Sequence, residues 1–365
     1  MKRFHYNFTA EFGFKKYQQG FSLVELMVAT VIGILLSYAV MQVYIAQTQI
    51  YKTTNSQALI QSTENAIANL VVPIIRSAGF VGCSTISTAI SNLNGGGSSP
   101  LGSINSNPTL IAGYNGSGAS LTITQNNSAN SNNASSWVPP LDPSLVGNVE
   151  AGSDVLVVLG AVPGSFPISV TAIDSTSNTF TVQSTSGMNI NAGQFAAISD
   201  CVKTSVFMIT NITGTSISHT AGSGGYENAS SVFNVSYQVG AQFIPLQQTA
   251  FFVGQGQGGQ SSLMRATLTG TGWTIAPLVP GVDVMKVEYG IGNSGTVSQY
   301  VTADAVPSWA QIYSIRLGFL IEGQIASENM SNNQYAVLDT AVTVPNDHRL
   351  RHVYEVNIAL RNASS

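Results

Sequence analysis

The chain has 365 residues, of which 44% are hydrophobic and only 8% charged, and its formal net charge is −4. This length allows one large globular head or two modest ones, and the polarity is carried by Ser, Thr, Asn, Gln and 35 Gly, which favours β-structure with many turns. Without residues 1–20 the remainder holds 9 basic and 16 acidic residues, a net charge of −7 with no basic run, which argues against direct nucleic-acid binding.

The first element is an apolar helix that follows a short basic leader. Residues 1–20 contain four basic residues and one acidic residue, whereas Glu25 is the single charged residue between Phe21 and Tyr51. An apolar run of this length can cross a bilayer as a helix, and the basic leader would stay in the cytoplasm. The sequence therefore predicts a single-pass inner-membrane segment to about residue 45, with the C-terminal body outside the cytoplasm.

Three simple interpretations of this helix compete with a functional role for Glu25. A secretory signal peptide would have a shorter apolar region and a small-x-small cleavage site, which is not evident after Tyr38 or Ala46. A buried core helix rarely opens a chain with so long an apolar run. A plain signal anchor explains the orientation but gives no reason for Glu25, because an ionisable group that deep in lipid costs several kcal/mol.

The text KKYQQG-FSLVELMVATVIGILL resembles the class III signal of type IV prepilins and type II secretion pseudopilins. The resemblance implies cleavage after Gly20 by prepilin peptidase, N-methylation of the new terminus at Phe21, and an assembly role for Glu25. The leader is long for that family. A cleaved Phe21 would carry an ammonium group in apolar surroundings, and we expect Glu25 of a neighbouring subunit to pair with it, which would favour assembly and fix register.

The helix is predicted to continue to about Ser77, with a kink at Pro73 and an exit at Gly79. Residues at three- and four-residue spacing predict a stripe that packs against the head, formed by Leu59, Thr63, Ala66, Leu70, Val71 and Ile74. Residues 91–137 are rich in Asn, Ser and Gly and read as surface loops.

From about residue 150, short β-rich runs follow one another at a spacing typical of an antiparallel β-domain. The predicted fold class is α+β and type IV pilin-like: a long N-terminal helix packed on an antiparallel β-sheet head with additional strands and loops. The predicted boundaries are a leader at 1–20, the helix at 21–80, a loop-rich segment at 81–150 and the β-rich head at 151–365.

Segments of the head add a second resemblance, to PilW-type minor pilins and to the J-type minor pseudopilin of type II secretion. The pieces that carry it are ISDCVKTSVFMITN, LVPGVDVMKVEYGIG, SWAQIYSIRLGFLIEG and DHRLRHVYEVNIALRN. The resemblance implies a structural protein whose partners are other minor pilins, the major pilin, prepilin peptidase and the inner-membrane assembly platform.

The two cysteines, Cys83 and Cys201, are compatible with a disulfide or with two inert buried thiols. The membrane segment places them outside the cytoplasm, which favours the disulfide.

The sequence contains no convincing catalytic or metal-binding pattern. The glycines of VGQGQGGQSS satisfy G-x-G-x-x-G, but a strand-like run follows them, so a hairpin loop is the better interpretation. His348 and His352 have helical metal-ligand spacing in a β-like run, which argues against a metal site. Trp137, Trp273 and Trp309 are predicted to be core anchors rather than partner surfaces. The sequence predicts no catalytic residue, metal or cofactor.

The leading hypothesis is a minor pilin that primes assembly at or near the tip of a type IV pilus, and so supports adhesion, twitching motility and DNA uptake. Before assembly it would lie in the inner membrane, and afterwards in the pilus at the cell surface. The alternatives are a minor pseudopilin of a type II secretion system and a signal-anchored periplasmic binding protein or enzyme.

Overall fold

A computed structural model describes residues 20–84, 89–94, 110–116, 118–123, 130–174, 176, 178–326 and 333–363. The chain divides into two compact units, residues 1–51 and residues 52–365. The basic leader, residues 1–19, lies outside the described residues.

Two consecutive helices open the described chain. Helix α1 (Leu23–Leu70) is followed, after a single residue, by helix α2 (Val72–Arg76). Pro73 lies in the first turn of α2, where the missing N–H is tolerated, whereas in the interior of α1 it would have removed a helical hydrogen bond. The predicted helix to about Ser77, with its break at Pro73, is confirmed.

The second unit carries three sheets within the described residues, and almost all their strand pairs are antiparallel. The largest contains β1 (Ala89–Ser91), β2 (Ile111–Tyr114), β4 (Val155–Ala161), β5 (Ile168–Asp174), β6 (Thr179–Val182), β7 (Phe195–Ser199), β8 (Thr204–Met208), β9 (Asn211–Thr213), β10 (Ser216–Ser218), β11 (Gln242–Gln255), β12 (Ser261–Thr269) and β13 (Gly272–Pro280). The second contains β14 (Val282–Asn293), β15 (Thr296–Val301), β16 (Ile312–Ala326) and β19 (Arg349–Ala359). The third contains β3 (Ser120–Thr122), β17 (Gln334–Val337) and β18 (Thr340–Thr343). Single 3-10 turns occupy Ala134–Ser136, Gln257–Gly259, Ala303–Ala305 and Trp309–Gln311.

The expected fold class, a long apolar helix with a mostly antiparallel β-head, is confirmed. The parallel pairs are β1 with β8 and β3 with β18. Strand β11 joins two parts of the largest sheet, because its first residues pair with β7 and its later residues pair with β4 and β12. Each part has its own core: a large one that includes the end of α1, and a smaller one around Phe180, Phe207 and Phe243.

The segment at 81–150, predicted to be loop-rich, contributes three strands in the part that the structure describes. Strand β2 is fully buried and pairs with β4 in the middle of the large core. The sequence pattern did not predict this strand, because it is only four residues long, Ile111–Tyr114, and lies in an Asn- and Ser-rich segment. The domain boundaries themselves stay a prediction.

The buried face of α1 continues through α2 and overlaps the predicted stripe. Ile60, Ile67, Val71 and Ile75 are buried, whereas Leu70 is 44% exposed. Of the predicted residues, Val71 is buried and Ala66 and Ile74 are partly buried and pack against the large core, so the prediction is confirmed for these three. It was wrong for Leu70, which lies on the exposed face.

The closest approach of α1 to the second sheet is at Gly323 of β16. A Cβ atom placed on Gly323 would lie 2.7 Å from the Cβ atom of Ser56, which is less than normal contact. The Ser56 hydroxyl donates a hydrogen bond to the carbonyl oxygen of Ile325 at 3.3 Å, and Oε1 of Glu64 lies 2.7 Å from Nδ1 of His352. A small residue on each side therefore lets the helix lie on the strand.

We expect Gly323→Ala to lower the free energy of unfolding by about 1–3 kcal/mol, because the added methyl group overpacks this contact. Chemical denaturation of the full chain in detergent measures the change. Ser56→Gly removes the opposing Cβ atom, so in the double variant the loss caused by Gly323→Ala should shrink. Additive losses from the two substitutions would show that the methyl group is accommodated elsewhere.

Candidate functional site

The predicted site residues Gly20, Phe21 and Glu25 lie at the start of α1. Gly20 and Glu25 are exposed, and the Phe21 side chain is 84% exposed. Ser22 is the residue immediately before the helix, and Glu25 is the third residue within it. This spacing, S-x-x-E, is that of a capping box.

The capping box is formed in the structure. The Ser22 amide donates to Oε2 of Glu25 at 3.1 Å, and the Glu25 amide donates to Oγ of Ser22 at 3.2 Å. Two amides of the first turn, which have no partner within the helix, are thereby satisfied, and the carboxylate lies at the positive end of the helix dipole. Sequence analysis missed this role of Ser22, although the S-x-x-E pattern signals it.

From Phe21 to Tyr51, every large apolar side chain of α1 is exposed. Within the described residues this is the one helix long and apolar enough to cross a membrane. Its hydroxyl groups bond to the helix backbone itself: Thr30 to the carbonyl of Met27, and Ser37 to the carbonyl of Gly33, both at 2.8 Å. These two hydroxyl groups are thus satisfied within the helix, as an apolar environment requires.

A disulfide joins Cys83 and Cys201. Cys83 follows the exit from α2, and Cys201 lies in the turn between β7 and β8 with a positive φ of 69°. The Cys83 amide also donates to Oε1 of Gln242 on β11 at 3.2 Å. The bond closes a loop of 118 residues, which in the chain-entropy model stabilises the fold by about 4–5 kcal/mol. Of the two open alternatives for the cysteines, the disulfide is correct.

A buried cluster of charges ties the strands of the second sheet together. Arg351 of β19 donates through Nε to Asp283 of β14 at 2.7 Å and through Nη2 to Glu322 of β16 at 3.2 Å. Asp347 accepts two further bonds from Arg351, both at 2.8 Å, and Arg349 contacts Glu322 at 2.9 Å. Burial, together with the Glu322 charge, raises the pKa of Asp283 to about 7. No sequence pattern predicts this cluster, because its members lie up to 68 residues apart in the chain.

Glu150 is a buried carboxyl near the same cluster. Its Oε1 accepts a hydrogen bond from the Ser261 hydroxyl at 2.8 Å. Burial raises the pKa of Glu150 from 4.5 to about 7, and the charges of Asp283 and Glu322 act in the same direction. A carboxyl with a higher pKa in the folded state binds its proton more tightly there, so folding stability falls as pH rises from about 4.5 to about 7.

Glu150→Gln should therefore flatten the pH dependence of the free energy of unfolding in that window, by up to about 3 kcal/mol. Denaturant unfolding at pH 4.5, 6 and 7.5 measures the slope. Glu355→Gln, at an exposed position of β19, is the control and should leave the slope unchanged. A wild-type slope in Glu150→Gln would contradict the raised pKa.

The structure also places the three tryptophans, the glycine motif and His348. Trp137 is buried and its indole N–H donates to the carbonyl oxygen of Ser153 at 2.8 Å, while Trp273 and Trp309 pack against the large core, so their role as core anchors is confirmed. The glycine motif lies at the β11–β12 hairpin, as predicted. His348 precedes β19 with a positive φ of 57° and is not in a strand, so that part of the prediction was wrong.

Comparison with known proteins confirms the predicted resemblance. Residues 250–362 match the family described as type IV pilus-assembly protein W, and residues 15–40 match the prokaryotic N-terminal methylation motif. The second match contains Gly20, Phe21 and Glu25, and the first contains the Arg351 cluster. The Cys201 segment, which contributed to the predicted resemblance, lies outside both matches.

Among solved structures, the chain is similar to a type IV-like pilin from Thermus thermophilus, with 18% identity over 48% of this chain and 86% of that chain and a TM-score of 0.22. No curated protein matches the chain. The apolar helix and the methylation motif indicate a membrane-anchored, pilin-like protein with a minor pilin role.

Proposed function

We propose that this protein is a minor pilin of a type IV pilus that primes filament assembly together with other minor pilins and the major pilin. It enters the inner membrane through α1 with its head in the periplasm, is cleaved after Gly20 by prepilin peptidase, and is methylated at Phe21. The observation that carries the proposal is the coincidence, in residues 15–40, of the methylation motif with an exposed apolar helix whose first turn holds a carboxylate.

The head supports a specialised place in the filament. A β-rich unit of this size, with a match to pilus-assembly protein W, suits a few copies at or near the tip better than a repeated shaft subunit. Adhesion, twitching motility and DNA uptake would then follow from the filament rather than from any chemistry of this chain.

Glu25 has two uses in this proposal. In the single chain its carboxylate caps the helix through the Ser22 amide. After cleavage, the ammonium group of Phe21 would add a positive charge beside the positive end of the helix, which is unfavourable in an apolar environment. A neighbouring subunit's Glu25 would neutralise that charge, and the pairing would set the axial position of the incoming chain.

The mature N-terminus tests the processing step. In cells that have prepilin peptidase, mass spectrometry should find a chain that begins at methylated Phe21, and in cells without the enzyme it should find residues 1–20 still attached. An intact leader in both strains would overturn the proposed function.

Substitutions at Ser22 and Glu25 separate capping from pairing. Glu25→Gln keeps an oxygen that can accept from the Ser22 amide but removes the charge, whereas Ser22→Ala removes one capping bond and keeps the charge. We expect Glu25→Gln to reduce the amount of the chain in sheared filaments at least tenfold, and Ser22→Ala to reduce it less than about twofold, as measured by immunoblot.

Both variants should remain membrane-inserted and cleaved, which the membrane fraction and the N-terminal mass establish. Equal depletion by the two substitutions, or normal incorporation of Glu25→Gln, would show that the carboxylate acts as a cap and not as a partner for a neighbour's amine.

A further inference from the structure

The head contains a cavity of about 480 Å³ in its smaller part, a volume in the range of ligand and side-chain pockets. One wall is formed by Ile173 and Asp174 at the end of β5 and by residues 178–180 at the start of β6. The other is the segment Ser231–Val239, which precedes β11. We name this cavity the β5 cleft. It lies over the smaller core and far in sequence from the residues of the proposed assembly site.

The interior of the β5 cleft is aromatic and uncharged. The ring of His219 stacks on Phe233 with 4.2 Å between ring centroids and lies 5.9 Å from the ring of Phe180. His219 is only 6% exposed, and its Nδ1 has no hydrogen-bond partner within the described residues. Burial lowers the pKa of His219 to about 4, so the imidazole is neutral at physiological pH. Such an interior favours an apolar, uncharged group.

Large apolar side chains are exposed at the rim of the cleft. Val232 and Val239, on the Ser231–Val239 segment, are 60% and 64% exposed, and Ile173 stands opposite on β5 at 40%. Three exposed large apolar side chains thus line one aromatic cavity, and exposed apolar residues grouped in this way mark interaction sites.

Both walls also present backbone that lacks a strand partner within the described residues. Strand β5 pairs with β11 only at Ile168 and Ser169, so at Ala172 and Ile173 it has β6 on one side and no strand on the other. Across the cleft, the residues from Phe233 to Val239 belong to no strand, and their amides donate no backbone hydrogen bond to another described residue. A cleft with unpaired backbone in its walls matches an extended chain better than a helix or a compact ligand.

The charge around the cleft restricts the occupant further. Asp174, at the end of β5, is the single charged residue among the described residues that line the cavity. A basic residue at that end of an otherwise uncharged segment would be complementary to it, whereas an acidic segment would be repelled by Asp174 and by the net negative charge of the head.

We propose that the β5 cleft binds an extended, apolar segment of a different protein chain by strand addition, with its apolar side chains over His219 and Phe233 and a basic residue beside Asp174. The backbone of the bound segment pairs with the walls and supplies affinity, and the aromatic interior selects its side chains. The site requires only the folded head and does not depend on the proposed function.

Site-specific photo-crosslinking in living cells tests this binding. The photoreactive residue p-benzoylphenylalanine replaces Val239 in the full chain, and mass spectrometry maps the residue to which it is joined. We expect a product with an extended, apolar and uncharged stretch of another protein chain. A product with a lipid, a small molecule, a helix or a second copy of this chain would overturn the proposal, as would no product above the level without light.

Two matched pairs of substitutions in the same chain test the mode of binding. Val232→Glu, at the rim, should reduce the product at least fivefold, whereas Val202→Glu, at an 80% exposed valine away from the cleft, should not. Ser236→Pro, which removes a backbone donor from the wall, should reduce it similarly, whereas Ser236→Ala should not.

Thermal unfolding of each variant confirms that the head is folded, and Val232→Glu alone carries the test if Ser236→Pro unfolds it. A full product in Val232→Glu would overturn the site. A full product in folded Ser236→Pro would overturn strand addition.

Discussion

The head depends on the contact between the second half of α1 and the sheets. Ile60, Ile67, Val71 and Ile75 enter the large core from one face of the helix, and the approach is close enough that β16 has glycine at position 323 opposite Ser56. Four buried branched side chains contribute several kcal/mol through apolar burial. The end of the chain adds to this contact, because the Asn362 side chain donates to the carbonyl oxygen of Ala78 at 2.9 Å.

The first half of α1 exposes its apolar side chains and does not bury them in a core. Its apolar side chains are exposed in the single chain, and the hydroxyl groups of Thr30 and Ser37 are satisfied by its own backbone, so it fits lipid or other apolar helices. In the single chain, Glu25 is compatible with that environment because its carboxylate accepts a hydrogen bond from the Ser22 amide and caps the helix. Under the proposed function, the same carboxylate stabilises the helix start before assembly and pairs with a new ammonium group during it.

The head combines rigid and open regions. The disulfide fixes the exit of α2 to the β7–β8 turn, and the Arg351 cluster fixes β14, β16 and β19 at positions where a lone buried charge would be strongly destabilising. The β5 cleft is the opposite case: among the described strands, β5 has a neighbour on one side only at Ala172 and Ile173, and Val232 and Val239 are exposed at the rim. A surface that a rigid core holds in place, and that has a strand edge without a neighbouring strand, is suited to recognition of an extended chain.

The sequence by itself determined the long apolar helix, its break close to Pro73, the β-rich head and its family resemblance. Each of these depends on local composition or on a short motif, which the order of residues carries directly. The tertiary structure decided the face of α1 that enters the core, the burial of β2, the pairing of Cys83 with Cys201, the Arg351 cluster and the β5 cleft. These depend on residues tens to hundreds of positions apart, and which of them meet is fixed by sheet pairing and close packing rather than by any local pattern.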